Sequence, residues 1–426
     1  MNSLLDQRSG GLFFYRATWI HVIDGAIPLR QGDSGPEFCR MPISLWPLGI
    51  TPGAVPATLG EMSEIDKFSR SGTPLCDEPA DSASRCGLGS GDLCIPYHRA
   101  HDGTWGYVWG DCWRGPGQSG DYLGSPLILV EDDFDPSGAR PIEFTRPLPG
   151  DRPAGQLFDY RRHADNGFGV TEVSRIPNDA IEFGGRTFVQ YTSVHTWVPP
   201  NSDTDGSGFS GVAYSDDYGV TWQDFGYHWH GAALGINGNP YGMWTFAGID
   251  PDGYLYIFAK PWNGSHHYRH DRGRIQLFRY DPADFFHGDF AAQQNWAHVD
   301  GEWGWYPAAR QAPTPIFGPG NNLGEFSVER IGSVYVMSYF DCTDLSVCTR
   351  TAPRPDALWS APKTQVVHDA TVAPEHAGFP QLPNLYGGYL HPGSSSPDNL
   401  TAVISRWTGI AGSGPYTVTQ WTGLSA

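Results

Sequence analysis

Asp92 and Asp111 stand nineteen positions apart, in Ser90-Gly91-Asp92-Leu93-Cys94-Ile95-Pro96-Tyr97 and Tyr107-Val108-Trp109-Gly110-Asp111-Cys112-Trp113. Each borders a short apolar run, and between the runs lies Ala100-His101-Asp102-Gly103-Thr104, whose Asp-Gly step is a strong turn signal. A hairpin closed at that step brings both carboxyls into one neighbourhood. Two carboxyls flanking a bond are what acid-catalysed glycoside cleavage needs: one protonates the leaving oxygen, the other acts as nucleophile or activates water. Taken alone, the residues leave a second reading open, because an Asp beside a turn also serves as a backbone cap.

Other groups compete for attention. Glu325, in Asn322-Leu323-Gly324-Glu325-Phe326-Ser327-Val328, is a third acidic candidate on a predicted strand. His266, His267 and His270 crowd a polar loop, and His228 and His230 would share a strand face, but no Cys or Glu stands at zinc spacing, so no metal is expected. Asp203-Thr204-Asp205-Gly206 opens like a calcium loop, lacks the later bidentate Glu, and reads as a flexible turn. The esterase Gly-x-Ser-x-Gly elbow, the phosphate-binding Gly-Lys-Ser loop and the zinc-protease His-Glu-x-x-His helix are all missing, and no cofactor is expected.

The elements that must position these residues are strands. With 54 Gly, 36 Pro and 14% aromatic residues, the composition is that of a turn-rich β protein. Apolar runs recur at Trp105 to Gly110, Pro126 to Val130, Thr187 to Val194, Gly211 to Tyr214, Tyr254 to Ala259, Ile275 to Tyr280, Phe326 to Ser338 and Leu400 to Trp407. Such recurrence predicts repeated small sheets, as in a propeller, with a two-sheet sandwich as the competing all-β arrangement. Ser215-Asp216-Asp217-Tyr218-Gly219-Val220-Thr221-Trp222 resembles the Asp-box of sialidase-type propellers, a turn in which Asp accepts amide hydrogen bonds and Trp packs beneath. It is structural and receives no catalytic role.

The formal net charge of −19 disfavours nucleic acid and anionic membranes as partners, while a neutral carbohydrate suffers no such penalty. Seven cysteines are an odd number. The spacings Cys76 to Cys86 and Cys342 to Cys348 suit local disulfides, and Cys94 with Cys112 form either a cross-strand pair or two buried thiols. No segment approaches the roughly 20 apolar residues that span a bilayer, so no membrane insertion is expected. The opening residues carry no basic, apolar and small-residue sequence of a secretory leader. Residues 1–60, with the aromatic run Leu12-Phe13-Phe14-Tyr15, read as an amino-terminal extension ahead of a domain over 61–426.

The segment from Ser90 onward resembles a family of five-bladed propeller glycoside hydrolases from actinobacteria and their phages, associated with endo-D-arabinanase activity. The matching pieces are Gly91-Asp92-Leu93-Cys94-Ile95-Pro96, Trp109-Gly110-Asp111-Cys112-Trp113, Ser125-Pro126-Leu127-Ile128-Leu129, the Glu325 segment, Trp359-Ser360-Ala361-Pro362, and Leu385-Tyr386-Gly387-Gly388-Tyr389-Leu390-His391-Pro392 with Ser405-Arg406-Trp407 and Pro415-Tyr416-Thr417-Val418. Their order follows the family over roughly residues 65–426. The resemblance implies an all-β, five-bladed β-propeller with Asp92 and Asp111 as the catalytic carboxylates, their roles open, and the more buried of them as the acid. It also implies a cleft at one end of the axis, walled by Trp113, Trp262, Tyr386 and His391, with Glu325 in a substrate or proton-network role. The chain departs from the family where Cys94 replaces a Gly and Gly124 replaces an Arg; Arg114 is expected to supply the missing charge. The implied substrate is mycobacterial-type cell-wall arabinan, in arabinogalactan or lipoarabinomannan. The implied setting is a phage tail, docked to other tail proteins through residues 1–60, or otherwise extracellular; the alternative is a non-catalytic polysaccharide-binding or structural tail protein.

Overall fold

A computed structural model describes residues 72–199, 204–262, 274–317, 322–369, 378–408 and 414–426. The amino-terminal extension and the His266, His267, His270 loop lie outside these residues. The described chain is built from strands, with α-helix confined to the short pieces Ser82–Arg85 and Pro282–Phe286. Each has an Asp whose side chain caps an early amide, Asp81 on Ser84 N and Asp281 on Ala283 N.

Among the described residues the strands form seven antiparallel sheets: two small ones, Ser90–Gly91 with Cys112–Trp113 and Tyr122–Gly124, and Ala164–Asp165 with Thr171–Glu172, and five larger ones of four or five strands, which follow one another along the chain. The first runs Ile95–Arg99, Thr104–Trp109, Leu127–Glu131 and Arg146–Leu148. The second runs Ser174–Phe183, Arg186–Val194, Ser207–Ser215 and Gln223–Asp224, with Trp229–His230 also on its third strand. The third has five strands: Met243–Ile249, Leu255–Lys260, Gln276–Tyr280, Gln294–Val299 and Glu302–Pro307. The fourth runs Leu323–Ile331, Val334–Asp341, Ser346–Ala352 and Lys363–Val367. The fifth comprises Leu385–Leu390, Leu400–Trp407 and Tyr416–Leu424, and its outer strand is Thr73–Pro74 from the other end of the domain, with Thr73 opposite Gln420. The sandwich reading is thereby set aside.

The opening strands of the five sheets touch in succession, from Ile95–Arg99 through Ser174–Phe183, Met243–Ile249 and Leu323–Ile331 to Leu385–Leu390, which returns to the first. These are packing contacts between sheets, not one hydrogen-bonded barrel. Four of the five opening strands carry a bulge. Asn178, Ala247 and Gly388 each stand as an extra residue against the partner strand, and Gly324 with Glu325 opposes Phe340 alone. A bulge interrupts the ladder and re-aims a side chain that strict alternation would send elsewhere.

The predicted turns are present. Arg99 pairs with Thr104 across the Asp102-Gly103 turn, where Gly103 has φ +75°. In the Asp-box, Asp217 Oδ1 accepts Thr221 N at 2.8 Å, Ser215 Oγ accepts Gly219 N at 2.7 Å, and Trp222 Nε1 donates to Gly219 O at 3.2 Å. Asp205 is buried and accepts Ser207 N and Gly238 N, each at 2.8 Å. Asp205, expected in a flexible turn, is therefore a buried cap joining two loops.

The fifth sheet is locked by Trp421, fully buried, with its ring against Gly72, where an added Cβ would come within 2.7 Å of the indole. Trp421→Ala is expected to cost about 3–5 kcal/mol, the usual range for emptying a buried aromatic site. A urea midpoint equal to that of the unmodified protein would contradict this.

Candidate active site

Asp92 and Asp111 sit at the open end of the first hairpin, and Gly110 N donates to Asp92 O at 3.0 Å across it. Gly110 is dictated by packing: a Cβ there would run into Asp92 Oδ1. Leu93 and Cys94 follow Asp92 with φ +66° and +57°, left-handed values that cost non-glycine residues roughly 1–2 kcal/mol each. Cys94 therefore holds, under strain, a conformation that a Gly would adopt freely. Ser405 Oγ fixes the turn by accepting Leu93 N at 2.9 Å.

The two carboxyls open into one cavity of about 500 Å3, which Glu325 also lines. Trp113, Tyr416 and Trp407 form one flank, with Tyr416 5.2 Å from the Trp113 ring. Trp197 and Trp262, 6.1 Å apart, form another. Tyr386 lines the cavity as expected and donates its hydroxyl to Asp92 Oδ2 at 2.9 Å.

The environments of the two aspartates differ. Burial, then the charge of Asp111, pushes the Asp92 pKa up to about 8; the Tyr416 and Tyr386 hydroxyls oppose this and Glu325 reinforces it. Asp92 Oδ1 has no hydrogen-bond partner among the described residues. Burial also raises Asp111, but Ser174 Oγ and Tyr122 OH both donate to its Oδ1 at 2.6 Å, and Arg162 and His163 add positive charge. Asp92 is half-buried and Asp111 only 7% exposed, so exposure alone would make Asp111 the acid. Neighbouring charge decides otherwise: both carboxyls receive hydroxyl donors, but Asp111 faces the positive charge of Arg162, whereas Asp92 faces two neighbouring carboxyls.

Two expected site residues lie elsewhere. Arg114 is exposed, and its guanidinium donates to Gly87 O at 3.2 Å, away from the cavity lining. The cavity's guanidinium comes from Arg162, held over the Tyr122 ring at 3.9 Å with Nε donating to Val173 O at 3.0 Å. Gly124 has φ +119°, which a side chain there would rarely adopt. His391 is fully buried, stacked on Phe134 at 3.4 Å and within 2.9 Å of Tyr107 OH, whose other partner is Glu131. It belongs to a buried polar cluster, and burial holds its pKa well below the usual imidazole range.

Neither spacing that suits a disulfide is bridged, and Cys94 and Cys112 are two buried thiols, the second of the two readings open for them: Cys76, Cys86, Cys94, Cys112 and Cys348 are all thiols. Cys76 Sγ is engaged by Gly91 O at 3.7 Å and Thr417 Oγ1 at 3.6 Å, and Cys348 Sγ lies 3.3 Å from Ser346 Oγ. Sequence spacing allows a bridge but does not set side-chain direction. Among the described residues no group of three or more His, Cys, Asp or Glu is placed to hold a metal ion. No helix among them is long and apolar enough to cross a membrane.

Sequence reasoning missed Arg162, Asn178 and Trp197. Arg162 and Trp197 stand outside any periodic run, whereas Pro177-Asn178-Asp179 interrupts an apolar strand and so carries a bulge signal.

Known proteins share this chain's pattern. Protein J' of the notoamide biosynthesis cluster of Aspergillus versicolor is 30% identical over 377 residues, covering 82% of this chain and 91% of that protein. An uncharacterized 35.9 kDa protein of Mycolicibacterium smegmatis is 34% identical over 179 residues, 40% of this chain and 48% of its own length. In structure, the fold is similar to a Bacteroides ovatus protein provisionally assigned as a hydrolase, at TM-score 0.50 and 13% identity over 84% of this chain and 88% of that one. A GH43_1 enzyme from Xanthomonas citri matches at TM-score 0.46 and 11% identity, covering 84% and 91%. Residues 77–422 match the family described as Domain of unknown function (DUF4185), and the chain belongs to that family.

Proposed function

We propose that the protein is a glycoside hydrolase cutting internal D-arabinofuranosyl linkages of mycobacterial-type arabinan, its five sheets being the blades of a β-propeller. The observation that carries this reading is the pairing, in one cavity, of a carboxyl kept protonated near neutrality, Asp92, with a second, Asp111, which burial also raises but whose anion is favoured by two hydroxyl donors and the positive charge of Arg162. Asp92 protonates the departing glycosidic oxygen, and Asp111 attacks the anomeric carbon or takes a proton from water. Aromatic flanks suit the apolar faces of sugar rings. The lining reaches solvent at Trp407, 39% exposed, on one flank and at Val198, 59% exposed and next to Trp197, on the other, which supports a chain lying across the cavity and being cut internally.

The test is incubation with purified mycobacterial arabinogalactan, plant L-arabinan, xylan and galactan, reading new reducing ends and product length. Oligosaccharides from arabinogalactan alone are expected; binding without new ends would sink the hydrolase reading. Delivery on a phage tail, with residues 1–60 as the docking segment, rests on the resemblance. Removing them should release the domain from particles without loss of hydrolysis.

The pH dependence has a definite sign. Activity is lost as pH rises through about 8, where Asp92 gives up its proton. Because Glu325 raises that pKa by charge repulsion, Glu325→Gln should move the alkaline limb to lower pH. A limb that stays in place would separate Glu325 from the proton donor.

A further inference from the structure

The cavity wall holds buried polar atoms that none of the described residues satisfies. Asn178 is 3% exposed and Trp262 2%; both line the cavity, and among the described residues Asn178 Oδ1 and Trp262 Nε1 have no hydrogen-bond partner. Buried polar atoms are almost always paired, so an unpaired acceptor and donor on one cavity wall point to a ligand that supplies both partners.

The Asn178 amide is oriented by its neighbours. Its Nδ2 donates to Gln190 Oε1 at 2.7 Å and to Thr192 Oγ1 at 2.9 Å. Gln190 cannot turn over, because Oε1 also accepts Trp244 N at 3.2 Å while Nε2 faces the carbonyls of Tyr191 and Gly242. The Thr192 hydroxyl spends its proton on Gly242 O at 2.7 Å and so must accept from Asn178. With both donors used, the amide offers the cavity an acceptor only. Trp262 Nε1 is a donor only. Asn178 reaches this position as the extra residue of its strand's bulge.

We propose that Asn178 Oδ1 and Trp262 Nε1 form a hydroxyl-reading subsite of the cavity, the first accepting from and the second donating to hydroxyls of a neutral sugar. The subsite rests on the glycoside hydrolase reading and deepens it: selectivity among neutral glycans comes from hydroxyl pattern, enforced by two atoms left unpaired by any sugar that cannot match them.

The test is calorimetric titration in an Asp92→Asn background, which slows turnover, with oligosaccharide fragments of mycobacterial arabinogalactan, plant L-arabinan, xylan and galactan. Asn178→Ala, and separately Trp262→Phe, which keeps an aromatic ring but removes the N–H, should weaken binding of the preferred fragment by roughly tenfold to a hundredfold. With Asp92 restored, both should act mainly on KM. Trp262→Phe stands alone as the test should Asn178→Ala melt early. A folded variant that binds within twofold of its parent overturns the subsite, and if its parent with Asp92 restored still cuts arabinan, the activity survives that result. Loss of binding in both variants for xylan or galactan fragments, where those are preferred, sustains the subsite and removes arabinan as the substrate. A parent that binds none of the panel overturns both.

Discussion

Asp92→Asn should lower kcat on polymeric arabinan by roughly 10²–10⁴-fold, the contribution of a positioned general acid. The amide can still accept the Tyr386 hydroxyl, so the site keeps its shape while losing its transferable proton. The loss should be smaller on an aryl arabinoside with a good leaving group, which departs without protonation. Equal losses on both substrates would assign Asp92 a role other than acid. The same variant reports on stability. In the folded protein Asp92 holds its proton up to about 8, whereas the unfolded chain releases it near the usual 3.8. The folded state thus binds more protons across that window, and stability falls as pH rises through it. Asp92→Asn removes this slope, so thermal midpoints of variant and unmodified protein should diverge from pH 4 to 8, with the variant increasingly favoured.

Asp111→Asn is the second large effect, with a loss of kcat in a similar range, about 10²–10⁴-fold. Its amide oxygen can still accept from Tyr122 and Ser174, which argues for a folded protein. Two further readouts make the result informative. Removing the Asp111 charge takes away one cause of the raised Asp92 pKa, so the residual activity should lose its alkaline limb at lower pH than 8. Azide should restore turnover and yield a glycosyl azide if Asp111 is the nucleophile of a retaining reaction; failure of rescue points to a base in an inverting one. Near-normal turnover in Asp111→Asn would remove it from the chemistry. Arg114→Ala, whose guanidinium lies outside the cavity, serves as the nearby control with little effect.

What could be read from the sequence was local. The Asp102-Gly103 turn announces the hairpin, and the hairpin alone brings Asp92 and Asp111 together, so one short-range signal locates both carboxyls. The Asp-box was legible for the same reason, since its hydrogen bonds span only a few residues. Long-range geometry was not. Arg162 reaches the cavity through a loop fixed by Val173 and Tyr122, and nothing in its own segment signals this. Arg114 and His391 sit beside motif residues in sequence, yet their side chains leave for Gly87 and the Phe134 cluster. The acid could not be chosen from burial, because the difference between the aspartates lies in the charges around them, Arg162 beside Asp111 and Glu325 beside Asp92, which distant segments contribute.

The bulges at Asn178 and at Gly324 with Glu325 have a consequence beyond aiming those side chains. A residue inserted between two ladder pairs belongs to neither phase of the strand's alternation. Exchanging it leaves every flanking residue on its own face, whereas a slip elsewhere would reverse core and surface together. Binding chemistry at these positions can therefore drift while the sheets keep their pairing. One scaffold can in this way present different donors and acceptors to its cavity, with its interior unchanged.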